Sequence, residues 1–147
     1  MHAVMDRSGY SLIEIAMVLV ILVALAPPLI GSAAGLRRSF MLSRAQEEAA
    51  RLFAEARWAA VGEGGAIVIL NAVPPWGAVV TVAGDTTRLT ELGAGGVSLR
   101  LSGGRPNARV RFGPLGLGLV SSQTLTFELD DEERRLVVSS LGRVSRR

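Results

Sequence analysis

One uncharged apolar stretch dominates the first part of the chain. It runs from Ile15 to Leu36 and holds 22 residues. As an α-helix it would be roughly 33 Å long, at about 1.5 Å per residue, which is enough to cross a bilayer core of about 30 Å. A buried helix of a soluble domain is the other interpretation, but a domain of this size seldom buries so long an apolar segment on every face. The pattern therefore favours a transmembrane helix.

A different period follows this stretch. Apolar residues recur at steps of three and four, which is the spacing of one face of an amphipathic helix; they are Leu42, Ala45, Ala49, Leu52, Phe53, Ala56 and Ala60. The opposite side offers the i, i+4 pairs Glu47–Arg51 and Arg51–Glu55, each of which adds a few tenths of a kcal/mol to a helix. The glycines within residues 62–65 predict its end.

Two adjacent prolines interrupt the apolar stretch. Pro27 and Pro28 lack an N–H and crowd the carbonyl four residues back, so we expect a kink or a local loss of helix near residues 23–31. Ser39 or Ser43 would then cap the start of the second helix. The prediction is one long helix that is broken near the prolines.

The rest of the chain has the pattern of short strands joined by Gly-rich segments. The predicted strands are Ala66–Leu70, Ala78–Val82, Val97–Leu101, Ala108–Phe112, Thr124–Leu129 and Arg135–Ser139. Pro74-Pro75 predicts a break, and the acidic residues Asp130 to Glu133 predict a hairpin turn. No glycine pattern follows a strand and opens a helix, so no phosphate-binding loop is expected. The fold class is therefore α+β.

Composition narrows the possible functions. The 147 residues suffice for about one domain, and the net charge of +3 is too small to indicate nucleic acid by itself. The chain has no Cys, its only His is His2, and all 16 basic residues are Arg. The commonest general bases, the Schiff-base amine and the best nitrogen and sulfur ligands are thus missing. We expect no enzyme activity, no cofactor and no bound metal.

A secretory signal peptide competes with the transmembrane interpretation. Residues 1–7 would be its charged region, residues 12–26 its apolar region and residues 32–34 its cleavage site. Glu14 argues against this, because a signal peptide needs no charge there and a carboxylate at the bilayer centre costs around 2.5–3.5 kcal/mol. Such residues usually have a function and a partner.

The residues around Glu14 form a recognisable motif. Ser8–Glu14 (SGYSLIE), followed directly by the apolar stretch, resembles the class III signal of type IV prepilins and type II secretion pseudopilins. Tyr10 departs from the family's usual Phe. The resemblance implies that residues 1–9 are a leader, that a prepilin peptidase cuts between Gly9 and Tyr10, and that it N-methylates Tyr10.

The same resemblance gives Glu14 a role and the chain an orientation. In the family this carboxylate meets the N-terminal amine of its own or a neighbouring subunit, and opposite charges attract strongly in a low-dielectric filament core. A count of positive charges alone, with Arg7 before the span and Arg37, Arg38 and Arg44 after it, would place the C-terminal side in the cytoplasm. The resemblance implies instead a single-pass inner-membrane protein with its head on the periplasmic side.

Later passages carry a second resemblance. Phe112–Gly116, the strand pair that follows it, and Val137–Val144 are similar to the ending of H-type minor pseudopilins and related minor type IV pilins. Ala54–Val61, a helix end followed by Gly and a strand, is similar too. This implies a pilin-like fold with a head of two small antiparallel sheets, and a place near the filament tip where minor subunits prime or cap assembly.

These resemblances together imply a domain organisation and a set of partners. Residues 10–36 would be the transmembrane or filament-core helix, residues 37–62 the amphipathic helix and residues 63–147 the β-rich head. The implied partners are other pilin or pseudopilin subunits, the prepilin peptidase, the inner-membrane assembly platform and membrane lipid. Type IV pili and secretion pseudopili share all these features, so the sequence leaves the machine open.

The last six residues allow two interpretations. Arg143, Arg146 and Arg147 could pair with phosphates, and some relatives with a C-terminal Gly-Arg-rich motif bind DNA during transformation. The alternative is a solvated terminal strand whose arginines serve solubility or contact acidic neighbours. Arg109 and Arg111, on one face of their strand, would extend a basic surface if that strand lay nearby.

Overall fold

The structure is a computed structural model that describes residues 11–119 and 122–147, apart from the side chains of residues 25–32. Within the chain, two compact units are distinguished, Met1–Arg37 and Arg38–Arg147. The predicted cleavage residues Gly9 and Tyr10 lie outside the described residues, so the processing site stays a prediction.

A single long helix, α1, spans Leu12–Glu63 and holds 52 residues. It begins after Ser11, whose carbonyl accepts hydrogen bonds from the N–H groups of Glu14 at 3.0 Å and Ile15 at 3.2 Å. It ends at the predicted glycines, where Gly64 has a φ of +82°, the left-handed conformation that favours glycine after a helix. The glycine signal for the helix end is confirmed.

The predicted break near the prolines is wrong. α1 continues through Pro27 and Pro28 without a non-helical residue, and neither Ser39 nor Ser43 starts a new helix. A proline withholds its own N–H, but the turns before and after it keep their i→i−4 hydrogen bonds. Two adjacent prolines therefore remove main-chain hydrogen bonds from the helix without ending it.

The second half of α1 is amphipathic as predicted. All seven apolar positions of the predicted face are buried, with exposures between 0% and 8%; they are Leu42, Ala45, Ala49, Leu52, Phe53, Ala56 and Ala60. Ala50 and Gln46 are buried as well, and the sequence pattern did not include them. Periodicity alone located the core face of this helix, because burial on a helix repeats every 3.6 residues.

Residues 63–119 and 122–147, the described part of the head, form eight antiparallel strands. They are β1 (Ala66–Asn71), β2 (Gly77–Val82), β3 (Asp85–Glu91), β4 (Ser98–Leu101), β5 (Asn107–Phe112), β6 (Gln123–Leu129), β7 (Glu132–Val138) and β8 (Val144–Arg146). One four-stranded sheet, sheet 1, has the order β3-β2-β1-β5, and sheet 2 has the order β4-β6-β7-β8. The predicted head of two small antiparallel sheets is confirmed.

Two details of the head correct the sequence prediction. β3 was not predicted, because its residues are polar and mostly exposed and only Thr90 is buried. The predicted turn is shorter than four residues: Asp130 and Asp131 form it, with Asp130 at a φ of +55°, and Leu129 already pairs with Glu132. The run of acidic residues indicated a turn, but it could not show at which residue the pairing between β6 and β7 begins again.

One hydrophobic core joins the second half of α1 to both sheets. The rings of Phe53 from α1 and Phe112 from β5 meet edge-on, with centroids 6.5 Å apart and planes at 64°. Val68 of β1 and Phe127 of β6 are fully buried in the same core. Edge-on aromatic pairs add about 0.5–1.5 kcal/mol beyond the area that they bury.

The β6–β7 hairpin is tied to α1 by polar contacts. The Arg38 guanidinium lies 2.7 Å from the Asp131 carboxylate and 3.7 Å from that of Asp130. Arg134 donates a hydrogen bond of 2.9 Å to the Ser39 hydroxyl. Exposed ion pairs contribute only about 0.2–1 kcal/mol each, so these contacts fix the hairpin's position more than they stabilise the fold.

Candidate functional site

Glu14 stands in the first turn of α1, where a carboxylate interacts favourably with the helix dipole. It is exposed, and so are the large apolar side chains of the same segment: Leu12, Ile13, Ile15, Met17, Val18, Leu19, Val20, Ile21, Leu22 and Val23. From Leu12 to Leu36 it is the only charged residue. Within the described residues, no ion pair includes Glu14. A single carboxylate therefore marks an otherwise apolar helix surface.

No helix in the described part of the chain meets the combined length and hydropathy needed to span a bilayer.

The passages that carried the second resemblance meet at one corner of the head. A Cβ added to Gly142 would lie 2.8 Å from Cε1 of Phe112, and one added to Gly116 would lie 3.1 Å from side-chain atoms of Arg57 and Val61. An isolated bridge also pairs Phe112 with Gly118. Residues from Ala54–Val61, Phe112–Gly116 and Val137–Val144 thus pack against each other. We call this place the Phe112–Gly142 corner.

The helix carboxylates take distant partners and not the predicted i, i+4 ones. Glu47 pairs with Arg146 of β8 at 2.7 Å, and Glu55 pairs with Arg88 of β3. Arg51 has no carboxylate within 4 Å among the described residues. The predicted pairs Glu47–Arg51 and Arg51–Glu55 are therefore wrong, because the strands packed on the helix offer arginines that sequence spacing cannot show.

Of the C-terminal arginines, Arg146 lies in the strand β8, and Arg143 and Arg147 flank it. Arg147 and Arg135 exchange two main-chain hydrogen bonds of 2.8 Å, and the Arg143 N–H donates to the Ser139 hydroxyl at 3.0 Å. The side chain of Arg146 is held by Glu47, as the terminal-strand interpretation expects. The three guanidinium groups are not gathered into one unpaired cluster.

A buried glutamine holds this strand from the helix side. The Gln46 amide donates to the Arg135 carbonyl at 2.7 Å and lies 3.5 Å from the Arg147 carbonyl. Sequence reasoning missed it, although a polar residue next to the predicted apolar face, at Ala45, was a possible signal.

Arg109 and Arg111 do not join the C-terminal arginines in one sheet. Both are exposed on β5, which lies at the edge of sheet 1, whereas β8 lies at the edge of sheet 2. The structure confirms that they share one face of their strand, but the described strands form no continuous basic sheet surface.

An open groove of about 1040 Å³ runs beside the Phe112–Gly142 corner. One wall is the stretch of α1 from Glu47 to Val61, another is β8, and Leu115 lies in the lining as well. Trp58 is 77% exposed and Leu115 is 79% exposed there. Sequence reasoning missed the groove, although a Trp away from the predicted core face was a signal for an exposed apolar surface.

The comparison with protein families decides the classification. The family model described as "Type II transport protein GspH" matches residues 41–142, which is more than half of the chain. This chain belongs to the GspH family. The match covers the second half of α1 and the head as far as Gly142, just before β8, whereas the prepilin-like motif lies in Ser8–Glu14. The two observations therefore come from different residues.

Solved structures agree with the GspH assignment at the level of the fold. The type IV minor pilin FimU of Pseudomonas aeruginosa strain PAO1, in a P21 crystal form, is 20% identical with a TM-score of 0.58, and the match covers 72% of this chain and 87% of FimU. A P65 form gives 19% identity and a TM-score of 0.57, with 72% and 92% covered. A search of curated proteins found no match. This GspH-family chain has a pilin-like fold and is a structural subunit of the minor pilin type, not an enzyme.

Proposed function

We propose that the chain is a minor pilin or pseudopilin that primes or caps a type II secretion pseudopilus or a type IV pilus. A single helix within residues 10–36 anchors it in the inner membrane, with the head on the periplasmic side. The observation that carries this proposal is the lone carboxylate of Glu14 on an exposed apolar helix surface, in a chain of the GspH family. An apolar surface of this extent needs lipid or neighbouring helices to cover it.

Processing would create a charged partner for Glu14, which forms no ion pair among the described residues. A prepilin peptidase cuts between Gly9 and Tyr10 and methylates the new N-terminus, so that an ammonium group appears four residues before Glu14. In a filament core of low dielectric the two charges attract strongly, and either one left unpaired is costly. The pairing sets the axial position at which the subunit joins its neighbours and the assembly platform.

The experiment compares Glu14→Ala and Glu14→Gln in the native cell, with Glu63→Ala as a matched control at the exposed end of the same helix. Mass spectrometry of the N-terminal peptide measures cleavage and methylation, and the sheared filament fraction measures incorporation. We expect all variants to be cleaved, Glu63→Ala to be incorporated normally, and both Glu14 variants to be lost from filaments by at least tenfold. Normal incorporation of Glu14→Ala contradicts the assembly role.

The absence of lysine allows a second readout. After the cut, the α-amine of Tyr10 is the only amine in this sequence, so an amine-reactive label reports on that group alone. We expect slower labelling in assembled filaments of the wild type than in membranes that hold the unassembled Glu14→Gln variant. A mature protein that still starts at Met1 contradicts the processing step.

DNA binding through Arg143, Arg146 and Arg147 is the second candidate function. It is favoured by Arg143, which forms no ion pair among the described residues, and weakened by Arg146, which Glu47 already neutralises. If DNA binds here, Arg143→Ala lowers the slope of log K against log salt by about 1, and Arg105→Ala, in a different loop, leaves it unchanged. Equal salt dependence for wild type and Arg143→Ala contradicts this candidate.

A further inference from the structure

The strand β8 is an edge strand of sheet 2, and its residues line the groove. It is the last strand of sheet 2, and among residues 11–119 and 122–147 it pairs only with β7. Arg147 and Arg135 exchange both of their main-chain hydrogen bonds. Because hydrogen-bonded and non-hydrogen-bonded pairs alternate along an antiparallel strand, the N–H and C=O groups of Ser145 also point toward β7. The N–H and C=O groups of Val144 and Arg146, two residues that line the groove, then point away from β7. An open edge of this kind is a template for another strand.

The groove has the length of a short strand. Its helix wall runs from Glu47 to Val61, which is roughly 21 Å at about 1.5 Å per residue. An extended segment rises about 3.3 Å per residue, so about six residues fill that length. Leu115 and Gly142 line the groove as well, where the head packs against Arg57 and Val61. The space beside β8 therefore fits one added strand.

The groove's side chains define the chemistry of what would occupy it. Trp58, Val61 and Leu115 are exposed apolar groups in its lining. Arg51 and Arg57 project from the helix wall, and among the described residues neither has a carboxylate within 4 Å. A segment that covers these groups needs apolar side chains near Trp58 and at least one carboxylate near the two arginines.

We propose that an extended segment of a partner protein docks in this groove as a fifth strand of sheet 2, beside β8. Its main chain bonds to the outward N–H and C=O groups of Val144 and Arg146. Its helix-facing side chains place an apolar group against Trp58 and a carboxylate against Arg57 or Arg51. Main-chain bonds supply affinity and the side-chain pockets supply specificity, as in other cases of strand addition. The proposal stands whether or not the N-terminal processing occurs as we propose.

The first test is site-specific photocrosslinking of the full-length protein in its native cell. A photoreactive residue replaces Trp58, and the same residue at Leu89, a 75% exposed position on β3 of sheet 1, is the control. We expect a crosslink from position 58 and not from position 89, mapped by mass spectrometry to an acidic segment of another protein. A crosslink to lipid, to a second copy of this chain or to a segment without carboxylates overturns the proposal.

A pair of variants at Val144 tests the main-chain part of the proposal. Val144→Pro removes the outward N–H without removing a bond to β7, and Val144→Ala shortens the side chain but keeps that N–H. We expect Val144→Pro to reduce the crosslink at least tenfold relative to Val144→Ala. Equal crosslinking in the two variants overturns the proposal.

A charge reversal keeps the test decisive if Val144→Pro fails to fold. The mapped segment is synthesised as a peptide, and its binding to the full-length protein in detergent is followed by tryptophan fluorescence, with Trp76 replaced by Phe so that only Trp58 emits. We expect Arg57→Glu, an exposed substitution, to weaken binding at least tenfold. A peptide with Lys in place of its acidic residue should restore binding to that variant. Unchanged affinity of Arg57→Glu for the original peptide overturns the assignment of the charged contact.

Discussion

Gly142 lies at the Phe112–Gly142 corner, and we expect its replacement by alanine to be costly for two separate reasons. Its φ is +80°, a left-handed conformation that L side chains rarely adopt. An added Cβ would also lie 2.8 Å from Cε1 of Phe112 and 3.1 Å from the Gly118 nitrogen. Phe112 is only 2% exposed and packs edge-on against Phe53, so its ring has little room to move away.

The two costs can be estimated separately. A non-glycine residue in the left-handed region costs roughly 1–2 kcal/mol. Forcing an extra carbon into a packed core costs about 1–3 kcal/mol. Together they predict that Gly142→Ala lowers the free energy of unfolding by about 2–5 kcal/mol, which is a fall in Tm of roughly 10–20 °C for a domain of this size.

A matched glycine isolates the steric part. Gly104 has a φ of +65°, but a Cβ added there meets no atom within 4 Å, so Gly104→Ala measures the backbone cost alone. Thermal unfolding of the full-length protein in detergent, followed by near-UV circular dichroism, gives both values. We expect Gly142→Ala to be the more destabilising by about 1–3 kcal/mol. Equal losses of stability for the two variants would refute the reasoning about Phe112.

Three further substitutions test other contacts. Gln46→Ala should cost about 1 kcal/mol, because the Arg135 carbonyl loses one donor, and hydrogen exchange at the β8 amides should quicken; unchanged exchange contradicts this. Phe53→Ala should lower the free energy of unfolding by about 3–5 kcal/mol in denaturant titration, and a loss under 1 kcal/mol would contradict the core assignment. Arg38→Ala should cost less than about 1 kcal/mol, and the difference from wild type should become smaller in 1 M salt, where the screening length is only about 3 Å; an unchanged difference would show a packing role instead.

Local pattern predicted much of the fold. The buried face of α1 followed from three- and four-residue spacing, since Leu42, Phe53 and Ala60 face the core for the same geometric reason. Six of the strands followed from alternating or β-branched runs. β3 did not, because Asp85–Glu91 is a polar edge strand whose structure depends on pairing with β2.

Contacts between distant residues could not be predicted from the sequence. Glu47 and Glu55 were predicted to pair along the helix, but Arg146 and Arg88 reach them from strands 99 and 33 positions away. The groove likewise depends on how β8 lies beside α1, which no local pattern encodes. By contrast, the role proposed for Glu14 could be read from the sequence, because the prepilin-like motif that implies it lies within seven consecutive residues.

The face that α1 presents to the head consists largely of alanines, among them Ala45, Ala49, Ala56 and Ala60. Such short side chains let the helix backbone approach the strands closely and leave no rotamer that could absorb a displacement. A force along the axis of this part of the helix would therefore displace the strands together with the helix. By the same reasoning, the larger side chain of Ala56→Leu would push the helix away from the strands that it packs against.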